Sequence, residues 1–175
     1  MKNLIIMLIA FTMLIFIVKT NEEKILTIPD EAIRLRVIAN SNSLEDQAKK
    51  NKVRIFLQEE LASLLEGEYS ISKARVVVEN HLETINQKLG NYIKNEKLAK
   101  TYKLEYGDNY FPKKELAGVT YNEGYYESIL ITLDAGKGDN WWCVLFPPLC
   151  LLEAEDATTV EYSLFISKVL KDYFR

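Results

Sequence analysis

The chain has 175 residues, 48% of them hydrophobic and 27% charged, which is the balance of an ordinary globular domain. A chain of this size buries about two thirds of its unfolded surface, so one core without metals or many disulfides is the expectation. The formal net charge of -3 argues against a nucleic-acid binder held by phosphate contacts, because such proteins carry a strongly basic face.

Residues 1–20 differ from the rest. Lys2 precedes an apolar run from Leu4 to Val18 that only Thr12 interrupts. As a helix this run spans roughly 22 Å, short of a hydrocarbon core of about 30 Å, which favours the apolar region of a signal peptide over a full span. No A-x-A site follows it, and the best cut lies before Asn21. The segment is therefore read as either a signal peptide or an uncleaved N-terminal membrane anchor, and both readings place the body outside the cytoplasm. The body, residues 31–175, is expected to be a single domain.

After a polar linker from Lys19 to Asp30, Ile33-Arg34-Leu35-Arg36-Val37-Ile38-Ala39 alternates apolar with charged residues, the period of a half-buried strand. Ile33, Leu35, Val37 and Ala39 are expected to face inward. Arg34 and Arg36 are expected to face solvent, either as surface charges or as a recognition pair for a carboxylate or phosphate. Asn40-Ser41-Asn42-Ser43 is a turn that starts a helix, with Ser43 and Asp46, or Asn42 and Glu45, in capping-box spacing. That helix runs to about Leu65 on the stripe Val53, Phe56, Leu57, Leu61, Leu64 and Leu65, with Lys49, Lys50, Lys52 and Arg54 mostly outside it. Gly67 ends it. A second helix, capped by Ser70 or Ser72, carries the stripe Ala74, Val78, Leu82, Ile85, Leu89 and Ile93. Strands follow at Tyr102–Tyr106, Gly118–Tyr121, Tyr125–Asp134 and Trp141–Phe146, separated by glycine-rich turns and expected to form an antiparallel meander. Thr158 to Phe174 is expected to be helical. The sum is α+β: an antiparallel or mixed sheet of about four to five strands, into which the first strand inserts, with two or three helices on one face.

Residues 136–150 hold both tryptophans, both cysteines and two of the four prolines. Tryptophan and proline supply contact area and stiffness but no nucleophile, acid or base, so the block suits recognition, or a buried strand with a tight turn. In an exported protein Cys143 and Cys150 are natural disulfide partners. A fully extended chain would hold them about 23 Å apart, so Phe146-Pro147-Pro148 must fold back, which a cis peptide at Pro147 or Pro148 would help.

Signals for chemistry are weak. His81 is the only histidine and lies mid-helix, so a Cys143–His81 dyad would have to compete with the disulfide. Two cysteines and one histidine in distant segments fit no zinc spacing. The loop Asp134 to Asn140 matches neither a calcium loop nor a P-loop. Tyr121, Tyr125 and Tyr126 around one turn offer either a second contact surface or, for at least one of them, core packing.

Two segments together resemble a known family. Ile33 to Ser43, with Glu45-Asp46-Gln47-Ala48 and Lys52-Val53-Arg54, resembles the opening of stage II sporulation protein R of endospore-forming bacteria. Gly136 to Cys150 looks like that family's signature, and Gly124-Tyr125-Tyr126-Glu127-Ser128 is similar to a grouping before one of its strands. Asn42 and Ala135 stand where the family usually has acidic residues. The resemblance covers about Glu31 to Leu152. It implies an exported signal, secreted from the forespore into the space between forespore and mother-cell membranes. There it would activate a membrane-embedded aspartic protease that removes the pro-sequence from a mother-cell sigma factor. It implies no enzyme activity; no cofactor, metal or nucleic-acid partner is expected, and any membrane attachment is expected through the N-terminal segment. Asn40, Ser41, Asp46, Asn140, Trp141, Trp142, Pro147 and Pro148 are the expected partner-binding residues, on one face. An extracytoplasmic envelope hydrolase using Cys143 and a passive spore-envelope structural protein are the alternatives.

Overall fold

The computed structural model describes residues 26–27, 31–68, 70–116, 119–150 and 166–171. The expected export segment, most of the linker after it and all of the expected last helix except 166–171 lie outside the described residues.

Among the described residues, seven strands and three helices follow in order: β1 (Leu26–Thr27), β2 (Ile33–Ile38), α1 (Leu44–Leu64), α2 (Ile71–Asn95), β3 (Tyr102–Phe111), β4 (Lys114–Leu116), β5 (Val119–Tyr121), β6 (Gly124–Leu133), β7 (Asn140–Phe146) and α3 (166–171). This is the expected α+β class. The principal sheet has the order β3-β6-β2-β7, and a small three-stranded sheet has the order β1-β5-β4.

The antiparallel meander is corrected. β3 and β6 do form a long antiparallel ribbon, from Tyr102 opposite Leu133 to Phe111 opposite Gly124. But β6 and β7, consecutive in sequence, are not neighbours, because β2 lies between them, parallel to β6 and antiparallel to β7. Alternation reports which side chains share a face, not which strand is the neighbour. Nor do β5 and β6 pair: β5 belongs to the small sheet, with β4 antiparallel to it and β1 parallel. β1 also places a strand in the segment read as a polar linker.

α1 begins where the Ser43 side chain accepts from the Asp46 backbone N–H at 3.1 Å, so the first of the two capping assignments is the one observed. Its last turn closes with Leu65 N–H on Leu61 O, and Gly67 at φ 81° turns the chain away. α2 starts at Ser70, whose side chain makes no capping bond. Of its predicted stripe, Ala74, Val78, Ile85, Leu89 and Ile93 are buried and Leu82 is half-buried.

The principal sheet separates two cores. On one face Leu35, Val37, Ile129 and Ile131 pack against Val53, Leu57 and Leu61 of α1 and Val78 and Leu89 of α2. On the other, Phe111, Tyr126, Trp142 and Val144 pack with Val119 and Tyr121 of the small sheet and with Ile166 and Val169 of α3. β2 is thus covered on both sides, and this overturns the outward placement of Arg34, which is 1% exposed. Its guanidinium carbon lies 3.4 Å from the Tyr126 ring centroid, 4.7 Å from that of Trp142 and 4.9 Å from that of Phe111. The negative ring faces replace water around the cation. Arg36 is half-buried and donates to Tyr110 O at 3.1 Å, and burial pushes its pKa down.

Candidate functional site

The residues of the family-like segments form a polar junction at one end of β7 and a bonded turn at the other. At the first end β2 runs out opposite Asn140, which brings the 40–43 turn against the 134–140 loop. Lys137 N–H donates to Asn40 O at 3.0 Å and Gly138 N–H to Ala39 O at 2.9 Å. Asn40 Oδ1 accepts from Ala135 N–H at 3.1 Å, and Asn42 Oδ1 accepts from Asp139 N–H at 2.5 Å. A side chain at position 138 would collide with the Ser41 carbonyl, so only glycine permits this approach. Gly136 is needed for a second reason, its φ of +59°.

Asp46 braces the turn from α1. Its carboxylate accepts from Ser41 Oγ at 2.6 Å and Asn40 Nδ2 at 2.9 Å. The Ser41 bond, then the Asn40 bond, hold its pKa below the usual carboxylate range. Gln47 adds a bond from Nε2 to Ser41 O at 2.9 Å. Lys50, expected outside the helix stripe, is buried: its Nζ donates to Gln47 Oε1 at 2.6 Å and to Asp139 O at 3.3 Å, joining helix to loop.

Six strand steps away, or about 20 Å, lies the second end. Cys143 and Cys150 are bonded, with Cα atoms 5.4 Å apart. The chain turns back at a cis Phe146–Pro147 peptide, Leu149 N–H bonds Val144 O at 3.2 Å, and Gln58 of α1 donates to Cys150 O at 2.7 Å. Beside this turn is an apolar cavity of about 360 Å³ lined by Leu61, Leu65, Leu145, Phe146 and Pro148 among others.

The single face expected for the site is therefore corrected to two ends of one strand. Asn40, Ser41, Asp46 and Asn140 come together, whereas Pro147 and Pro148 are at the far end and Cys150 folds back to Cys143 in the middle of β7. Between them Trp141 is half-buried on the helix side with the Arg54 guanidinium 5.1 Å from its ring. Trp142, 7% exposed, is a core residue edge-on to Phe111 and Tyr121, so little of its side chain lies at the surface. Of the three tyrosines, Tyr121 and Tyr126 are buried and only Tyr125 is exposed. His81 is exposed on α2, with Nδ1 2.8 Å from Val77 O.

Two clusters escaped the sequence reading. Arg75 of α2 grips Glu127 of β6 through two nitrogens at 2.7–2.9 Å, and Tyr106 donates to the same carboxylate. Burial raises the Glu127 pKa, but the bonds from Arg75 and Tyr106 outweigh it and the net shift is downward. Burial, then the Glu127 bond, pushes the Tyr106 hydroxyl up. The other is a cleft of about 570 Å³ next to Asp46, with Lys49, Lys94, Lys97 and Lys100 in its lining. The three-residue spacing of the last three was its only sequence signal.

Fold and site together define a small mixed-sheet α+β protein in which a glycine loop is braced against a turn and a second turn is bonded shut. The family model described as Stage II sporulation protein R (spore_II_R) matches residues 29–156, and the chain belongs to that family. It is a sporulation protein. Stage II sporulation protein R of Bacillus subtilis (strain 168) is 38% identical over 141 residues, which is 81% of this chain and 63% of that protein. The match thus spans a little under two thirds of the relative's length. No solved structure matches.

Proposed function

We propose that the protein is an exported signal that activates a membrane-embedded aspartic protease of the mother cell, leading to removal of the pro-sequence from a mother-cell sigma factor. It acts from the space between the forespore and mother-cell membranes, reached through the N-terminal segment. Family membership carries this reading, since the match over residues 29–156 takes in the 40–46 turn and the 136–150 block alike. A signal shifts a protease only by binding its active form better than its inactive form, so the work falls on surface. The accessible parts are the Asn40–Asp46 turn, Asn140, Trp141 and Pro148; Trp142 acts by holding the strand in place. The disulfide favours this reading over a Cys143 hydrolase, because a bonded sulfur is no nucleophile.

The test is cleavage of the sigma-factor precursor in a non-sporulating host that holds only the precursor and the membrane protease, with and without the exported chain. Cleavage that needs the chain is the expected result. Equal processing in both hosts, or none with the folded chain shown to be exported, overturns the proposal.

A further inference from the structure

The lysine cleft is bounded by the start of α1, the end of α2 and the β6–β7 loop. Four lysines face two aspartates there, in a chain whose net charge is -3. Both aspartates are already committed. Asp46 accepts from Ser41 and Asn40, and Asp134 Oδ1 accepts from the backbone N–H groups of Lys100 and Thr101 at 3.0 and 2.8 Å. Lys49 pairs with Glu45 at 2.6 Å. Lys94, Lys97 and Lys100 are exposed and form no ion pair among the described residues.

Cations near a helix C-terminus have an ordinary explanation, the unpaired carbonyls of the last turn. It suffices for Lys94. It does not suffice for Lys97, which sits at φ 53° in the position where a helix end favours glycine. The bonds Leu98 N–H to Ile93 O at 3.0 Å and Lys97 N–H to Lys94 O at 3.3 Å are those of a Schellman ending, and they involve no side chain. Glycine would build the same ending with less backbone strain, so the backbone gains nothing from lysine here and what the side chain adds is its charge.

We propose that this cleft docks an acidic segment of a protein partner, one with several closely spaced carboxylates. The inference deepens the signalling reading and rests on it. The cleft's concavity suits inserted carboxylate side chains, whereas an anionic bilayer would meet a convex basic surface. Beyond a Debye length of about 8 Å the net negative chain is not drawn to such a bilayer.

The test needs no protease, so its failure is distinct from failure of the signalling assay. The full disulfide-bonded chain, held in phosphatidylcholine nanodiscs, is titrated with fluorescein-labelled octaglutamate and followed by anisotropy. Binding should weaken at least about tenfold between 50 and 300 mM salt, as expected for screened charges. K94E/K97E/K100E should weaken it at least about tenfold at low salt. K97G, the control against misfolding, should melt at or above the temperature of the native chain yet bind about two- to threefold more weakly. Native affinity in either variant overturns the proposal. So does displacement of octaglutamate by soluble short-chain phosphatidylglycerol at lower concentrations than by unlabelled octaglutamate, which would assign the cleft to lipid headgroups.

Discussion

The two faces of the principal sheet solve the same problem with different chemistry. The α1–α2 face is mainly aliphatic, built from leucine, isoleucine and valine at helix and strand periods, with Phe146 buried among them and half-buried rings such as the stacked Phe56 and Tyr92 packed against it. The opposite face is aromatic and encloses a guanidinium. β2 serves both, which shows that alternation of apolar and charged residues separates the faces of a strand without saying that the charged face is wet. Three rings make the burial of Arg34 tolerable because their quadrupoles do part of what water would do.

Truncation is the most severe way to break this comparison. Trp142→Ala removes the ring edge-on to Phe111 and Tyr121 and should destabilise the fold by about 4 kcal/mol, against about 3 kcal/mol for Leu61→Ala on the aliphatic face. A single unfolding transition in urea for both variants would show that the faces unfold as one unit; two transitions would separate them. Replacing Cys143 and Cys150 by serine opens a short loop and should cost about 2.5 kcal/mol by the chain-entropy argument, read as a lower urea midpoint. Arg34→Lys keeps the charge but loses the stacked plane, and should cost about 1–2 kcal/mol in the same titration. An unchanged midpoint would return that face to solvent.

The smallest expected effect is Glu127→Gln, about 1 kcal/mol after allowing for the exposure of Arg75. Here pH sharpens the comparison. The Glu127 pKa is lowered in the fold, so its contribution is fully present above the unfolded value of about 4.3 and is lost as pH falls through the folded value. Melting temperatures of the native chain and the variant should therefore converge in acid and separate near neutrality.

Much of the aliphatic half was legible in the sequence. The stripes of α1 and α2, the Ser43 cap, the Gly67 stop and the inserted first strand all follow from local periodicity and capping chemistry. What local pattern does not carry is pairing between distant segments. Lys50 is buried because Asp139 O, 89 positions away, offers it an acceptor. Arg34 is buried because Phe111, Tyr126 and Trp142 meet over it from three strands. The candidate site was half legible for the same reason: residue types marked the turn and the glycine loop, while only the register of β2 on β7 tells that Asn140 and Pro147 stand at opposite ends.

That register also dictates an order of assembly. β2 precedes β7 by more than a hundred residues, so one of its two edges stays open until β7 has been made. Fragments that stop before Asn140 lack the strand that covers this edge of β2, and an uncovered apolar strand edge is the feature that invites pairing with another chain. Completion of the fold is thus a late event that depends on the 140–146 strand, and a nascent or truncated chain is a substrate for aggregation or proteolysis rather than a partial version of the finished protein.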